Sequence, residues 1–92
     1  MSEPVFAISV AADMVAMEIQ NLRVYERHGL VAPGRTAGGT RRYSDDDIQR
    51  LHRIREMLAG GLNLAGVGRV LALEDEVALL REENAELRRR RG

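Results

Sequence analysis

From Val70 onward the chain carries a repeat that leaves little freedom in what it can fold into. Val70, Leu73, Val77, Leu80, Asn84 and Leu87 recur at alternating spacings of three and four, the pattern of a helix with an apolar seam along one side. Val70, Val77 and Asn84 take heptad position a; Leu73, Leu80 and Leu87 take position d. The opposite face, with Asp75, Glu82 and Glu86, is polar. An ordinary amphipathic helix packed on its own domain is the alternative. With 92 residues in all, however, the segment before the seam is too small to fill a core and also cover this stripe. The expectation is a short coiled coil that closes a homodimer.

The remaining composition narrows the function classes. There is no cysteine, so disulfides and thiolate metal sites are excluded. The first residues carry Glu3 and Asp13 and no basic segment, which does not read as a signal peptide. No apolar run reaches membrane-spanning length, and a cytoplasmic protein is expected. The net charge is zero, yet the average conceals a pattern. Between Gln20 and Arg55 stand eight arginines against four acids, the local basic footprint of a nucleic-acid partner. Every cation other than histidine is Arg, a side chain suited to planar, bidentate contacts with phosphate or guanine.

The order of elements follows from caps and breakers. Ser9 is expected to cap a first helix, with Ala16-Met17 as a tight connection to a second over roughly 18–28 that Gly29 ends. Leu30-Val31-Ala32 reads as a short strand, Pro33 and Gly34 break it, and Arg41-Arg42-Tyr43 returns after a glycine-containing tip. Ser44 caps a third helix whose first turn holds Asp45, Asp46 and Asp47, at the positive end of the dipole. Ile48, Leu51, Ile54 and Leu58 mark its buried stripe. Gly60-Gly61 stops it, and Asn63 caps the segment that runs into the seam. Gly66 and Gly68 inside that segment are expected to permit a close helix contact.

On the second helix, Ile19, Leu22 and Glu26 share one side, while Gln20, Val24 and Arg27 lie on the other, with Asn21, Arg23 and His28 at its flanks. Gln and Asn suit adenine edges, Arg suits guanine, and Val suits a thymine methyl. Glu26, on the inner side, is expected to pair with an Arg. Arg41 and Arg42 alternate outward and inward on their strand, which leaves room for one to be structural, yet two arginines on a hairpin next to the second helix are placed for phosphate or minor-groove contact; Arg35 joins them at the loop edge. Tyr25 is divided between core and phosphate contact, and Tyr43 reads chiefly as a packing residue with a polar tip. The candidate DNA-contacting set is therefore Gln20, Asn21, Arg23, Val24, Tyr25, Arg27, Arg35, Arg41, Arg42 and Tyr43.

Two motifs in this order resemble those of a known family. Leu22-Arg23-Val24-Tyr25-Glu26-Arg27-His28-Gly29-Leu30-Val31-Ala32-Pro33-Gly34-Arg35 and Gly39-Thr40-Arg41-Arg42-Tyr43-Ser44 are similar to the recognition-helix and wing segments of MerR-family regulators. Ile8 to Ala12, Arg35 to Gly39 and Gly61 to Val67 look most like its heat-shock repressor branch. Asn21 stands where the family usually has Thr, and Val24 and Thr40 where many members have Tyr. The resemblance implies a mainly α, winged helix-turn-helix domain over 5–68 with a small β-hairpin wing, then a coiled-coil dimerisation helix over 69–91. It implies a repressor that binds an inverted-repeat operator in double-stranded DNA as a homodimer, and a chaperone as co-regulator. It also implies an antiparallel dimer helix. The charges at the seam's edges instead suit a parallel pair: Arg69, Glu76 and Glu83 would meet Glu74, Arg81 and Arg88.

Other sites are set aside. Gly34 to Thr40 lacks the lysine of a phosphate-cradling loop. The Asp45–Asp47 run lacks calcium-loop spacing, and His28 and His52 have no partner at metal-ligand spacing. No nucleophile stands near a base, so neither an enzyme nor a cofactor is expected. Arg88–Arg91 reads as a solvated helix end favoured by the dipole. The competing function is a coiled-coil interaction module, or an architectural DNA-binding protein without a dedicated operator.

Overall fold

The computed structural model describes residues 5–91. Seven elements follow one another: β1 (Val5–Phe6), α1 (Ile8–Val15), α2 (Ile19–Arg27), β2 (Gly34–Arg35), β3 (Arg41–Ser44), α3 (Asp45–Ala59) and α4 (Leu64–Arg91). The strands form one antiparallel sheet in the order β1-β3-β2. This is a winged helix-turn-helix head followed by a long helix, mainly helical as expected.

The helices end where the sequence chemistry dictates. After α2, the Gly29 N–H donates to the Glu26 carbonyl (3.0 Å) and the Leu30 N–H to the Tyr25 carbonyl (2.9 Å). Gly29 sits at φ 73°, so this is the paired Schellman closure that a left-handed residue permits. Gly61, at φ 104°, closes α3 the same way through Leu58 and Met57. Ala16 makes the same closure on α1 at φ 55°, without a glycine's freedom. At the start of α3, the Asp47 N–H donates to Ser44 Oγ (3.1 Å), and Asp47 Oδ2 accepts from the Ser44 N–H (2.9 Å), a complete capping box. Asn63 Oδ1 accepts from the Gly66 N–H (2.8 Å) at the start of α4.

Several local expectations are corrected. Ser9 lies inside α1, whose N-cap is Ala7, with no side-chain cap. The first wing strand is Gly34–Arg35 rather than 30–32. Leu30 and Val31 are both buried in the core and stand outside any ladder. Pro33 has no N–H to give a ladder, and pairing begins just beyond it, Gly34 opposite Arg42 and Arg35 opposite Arg41. Val5–Phe6 adds a third strand against Tyr43–Ser44. On α3 the fully buried stripe ends on Met57, with Leu58 only packed against its edge.

The core gathers Ala11, Ala12 and Val15 of α1, Leu22 and Tyr25 of α2, Leu30, Val31 and Tyr43, four residues of α3, and only Val67 and Leu71 of α4. α4 is continuous through residues 68 and 69. Its burial stops at Leu71, and every described residue beyond is exposed.

Candidate nucleic-acid interface

The turn between α1 and α2 sets α2 against the head through Leu22 and Tyr25, with Ile19 and Val24 packed at the margin. That leaves Gln20, Asn21, Arg23 and Arg27 exposed on one face. Val24 is half-buried, so it offers only an edge. Glu18 is the helix N-cap and makes no side-chain capping bond; its carbonyl accepts from the Asn21 and Leu22 N–H groups.

The wing is fixed to the C-terminal half of this helix by one carboxylate. Arg35 Nη2 donates to Glu26 Oε2 at 2.6 Å, and Arg41 Nε donates to Glu26 Oε1. Arg35 Nη1 also donates to the Gly39 carbonyl at 3.1 Å, bracing the tip. Arg35 and Arg41 are direct cross-strand partners, a like-charge placement that costs stability unless neutralised. Glu26 supplies the neutralising charge. Its hydrogen bond with Arg41, followed by the attraction of both guanidiniums, holds its carboxyl below the ordinary value, and the same bond pushes Arg41 up.

The expected pairing of Glu26 with an Arg is thus present, with two partners. It also sorts the two wing arginines. Arg41 faces inward to Glu26, and Arg42 takes the other side of β3. Among the described residues Arg23, Arg27 and Arg42 enter no ion pair, so their charge is available to a phosphate.

Two members of the candidate set are corrected. Tyr43 is fully buried, and its hydroxyl has no hydrogen-bond partner; Tyr25 is 5% exposed. Burial is the main cause that pushes both phenols up. Both belong to the buried core cluster rather than to the exposed face of α2 or the wing. The structure brings Gln20, Asn21, Arg23 and Arg27 together on α2 and draws Arg35 and Arg41 back to Glu26, while Arg42 lies on the other side of β3.

Along α4, Val70 packs partly against the head. Leu73, Val77, Leu80 and Leu87 are 60%, 44%, 51% and 55% exposed, and Asn84 is exposed too. A shallow groove lined by Val70, Leu73, Val77 and Ala78, with Glu74 and Arg81 at its rim, opens on this stripe.

Sequence reasoning missed the joint between α3 and α4. Arg53 holds Glu74 through Nε and Nη2 at 3.1 and 2.7 Å, and Arg50 Nη1 holds Asp75 at 3.1 Å. The signal was present as two arginines one helical turn apart facing two adjacent acids, but it takes the crossing of the helices to match them. The expected close contact at a glycine is found at Gly68, where an added Cβ would lie 3.3 Å from Leu30 Cδ2.

Residues 6–74 match the MerR HTH family regulatory protein model. The chain belongs to the MerR family. A Streptomyces coelicolor protein named as a heat shock protein, HspR, is 48% identical over 91% of this chain and 56% of its own length. The transcriptional regulator GlnR of Bacillus cereus is 36% identical over 94% of this chain and 69% of its own. The chain therefore spans little more than half of the first relative. In structure it resembles HiNmlR, a MerR family regulator lacking the sensor domain, bound to promoter DNA: TM-score 0.72 at 24% identity, covering 94% of this chain and 77% of that one. At that identity the likeness speaks for the fold. Several of the matched relatives are named as transcriptional regulators. Among the described residues no group of His, Asp or Glu could hold a metal ion, and no helix is long and apolar enough to cross a membrane.

Proposed function

We propose that this MerR protein is a repressor that binds an inverted-repeat operator as a homodimer, each head presenting α2 to a major groove and its wing to the flanking backbone. The observation that carries this is the exposed α2 face, Gln20, Asn21, Arg23 and Arg27, on a helix to which the wing is tied through Glu26. Gln20 and Asn21 suit adenine edges; Arg23 and Arg27 suit guanine or phosphate; Arg42 suits phosphate. The exposed stripe Leu73–Val77–Leu80–Leu87 supports the dimer. Two features favour an antiparallel pairing of α4. Val70 is partly spent on its own head, which weakens the first layer of a parallel seam. Glu74 is gripped by Arg53, which removes the partner a parallel pair would offer Arg69. The identity to HspR extends the proposal to a chaperone co-regulator, whose addition would change the affinity of the protein–DNA complex.

Anisotropy titrations against an operator and a scrambled duplex test the interface. Arg42→Ala weakens both and lowers the salt slope by about 0.9 for the lost phosphate contact. Gln20→Ala lowers the preference for the operator instead. Unchanged binding in both variants would remove this face from the interface.

A further inference from the structure

Leu30, the residue directly after the recognition helix's glycine stop, is gripped from three sides. Its N–H closes α2 on the Tyr25 carbonyl (2.9 Å). Its carbonyl accepts a hydrogen bond from Arg50 Nε of α3. Its side chain, 5% exposed, lies against α4 at Gly68, where the missing Cβ leaves it room. Arg50 does not stop there: its Nη1 reaches Asp75 of α4 at 3.1 Å. One guanidinium therefore joins the end of α2, the middle of α3 and α4 one turn beyond its last buried residue, Leu71.

Exposed ion pairs contribute little to stability, and Asp75 is well exposed. A charged donor on a carbonyl of a buried residue is a stronger and more directional bond. Arg50 is accordingly suited to setting an angle, with the Leu30 carbonyl as its firm end and Asp75 as its far one. The angle matters because the head buries α4 only through Leu71, so the orientation of the free part relative to α2 is decided at this joint.

We propose that Arg50 is a positioning residue for DNA recognition: by tying Leu30 to Asp75 it fixes the angle between the recognition helix and α4, and so fixes the half-site separation that a dimer accepts. The proposal rests on the dimeric inverted-repeat reading. Half-site spacing is a geometric property of a dimer's two reading heads; a loosened joint widens the range of separations without altering either head's contacts.

The test uses two variants of the full chain. Arg50→Met keeps the aliphatic stem and removes both bonds; Asp75→Asn removes only the charge on the α4 side and serves if the first variant folds poorly. Each is titrated against inverted repeats whose spacer is lengthened and shortened, and against a single half-site. The expected result is a sharp optimum for the wild type, with a penalty of about tenfold or more for a changed spacer. Arg50→Met flattens that profile to within about threefold while half-site affinity is retained. An unchanged spacer profile in both variants overturns the proposal.

A second readout needs no DNA. Because the chain has no cysteine, Ala37→Cys on the wing and Glu82→Cys on α4 allow spin labels to report the angle, in labelled protein diluted with unlabelled. A narrow distance distribution that broadens in Arg50→Met supports the joint, and an unaltered one overturns it. If the wild type prefers no half-site sequence, the operator reading fails, and the spin-label distances still decide whether Arg50 sets the angle.

Discussion

Replacing Leu80 by Ala measures what the α4 seam contributes. Leu80 is 51% exposed in the single chain, so about half of the side chain is left for a partner to cover. Complete burial of a leucine side chain stabilises by about 1.5–3 kcal/mol, and the uncovered half is worth about 1 kcal/mol. A symmetric dimer loses two copies, so the variant forfeits about 2 kcal/mol, a dimer Kd weakened about 30-fold. Alanine is the best helix former, so α4 itself persists and the loss falls on association. Sedimentation equilibrium over a range of concentrations reads the Kd directly. Leu79 is the control: it is the same residue type and 53% exposed, but it stands at heptad position c. Leu79→Ala leaves the Kd unchanged. Equal effects of the two substitutions, or none from Leu80→Ala, would refute the assignment of this stripe as the seam.

Three further outcomes follow from local geometry. Ala16→Gly relieves a left-handed alanine at φ 55°; the relief, about 1–2 kcal/mol, exceeds the roughly 0.4–1 kcal/mol of added unfolded-state entropy, and the melting temperature rises. Tyr43→Phe removes a buried hydroxyl that has no partner, so the denaturation midpoint holds or rises, by up to about 1 kcal/mol, and DNA affinity is unchanged; a loss of affinity would return Tyr43 to the interface. Glu26 has its carboxyl held below the ordinary value by Arg41 and Arg35, so its contribution to stability is complete above that ordinary value and is lost as pH falls through the lowered one. Acid titration of Glu26→Gln, followed by circular dichroism, should show a shallower loss of stability in that window than the wild type.

Much of the fold was legible because its boundaries are made by local chemistry. Ser44 with Asp47, Asn63, Gly29 and Gly60-Gly61 act within a few residues of themselves, and each stands at the helix end it implied. The β1 strand was not legible, since two residues carry no periodicity, and its existence depends on β3 presenting an edge. The first wing strand was misplaced because Leu30 and Val31 look like strand residues, whereas both are claimed by the core. On the α2 face, the helical wheel separated exposed Gln20 and Arg27 from buried Leu22. It gave no means of deciding Tyr25, which lies between the two faces, or of telling Arg41 from Arg42. That needed the position of Glu26. The ties of Arg50 to Leu30 and Asp75 join residues 20 and 25 positions apart, and only the assembled head brings them into range.

Selection from a pool of random duplexes by the purified protein, followed by sequencing, reads the symmetry and spacing of the bound site without assuming either. A repressor dimer enriches a two-fold symmetric site, two half-sites in inverted orientation at one dominant spacing, with enrichment lost in Gln20→Ala and retained in Tyr43→Phe. Recovery of unenriched sequence, or of a single asymmetric half-site at every protein concentration, would contradict it.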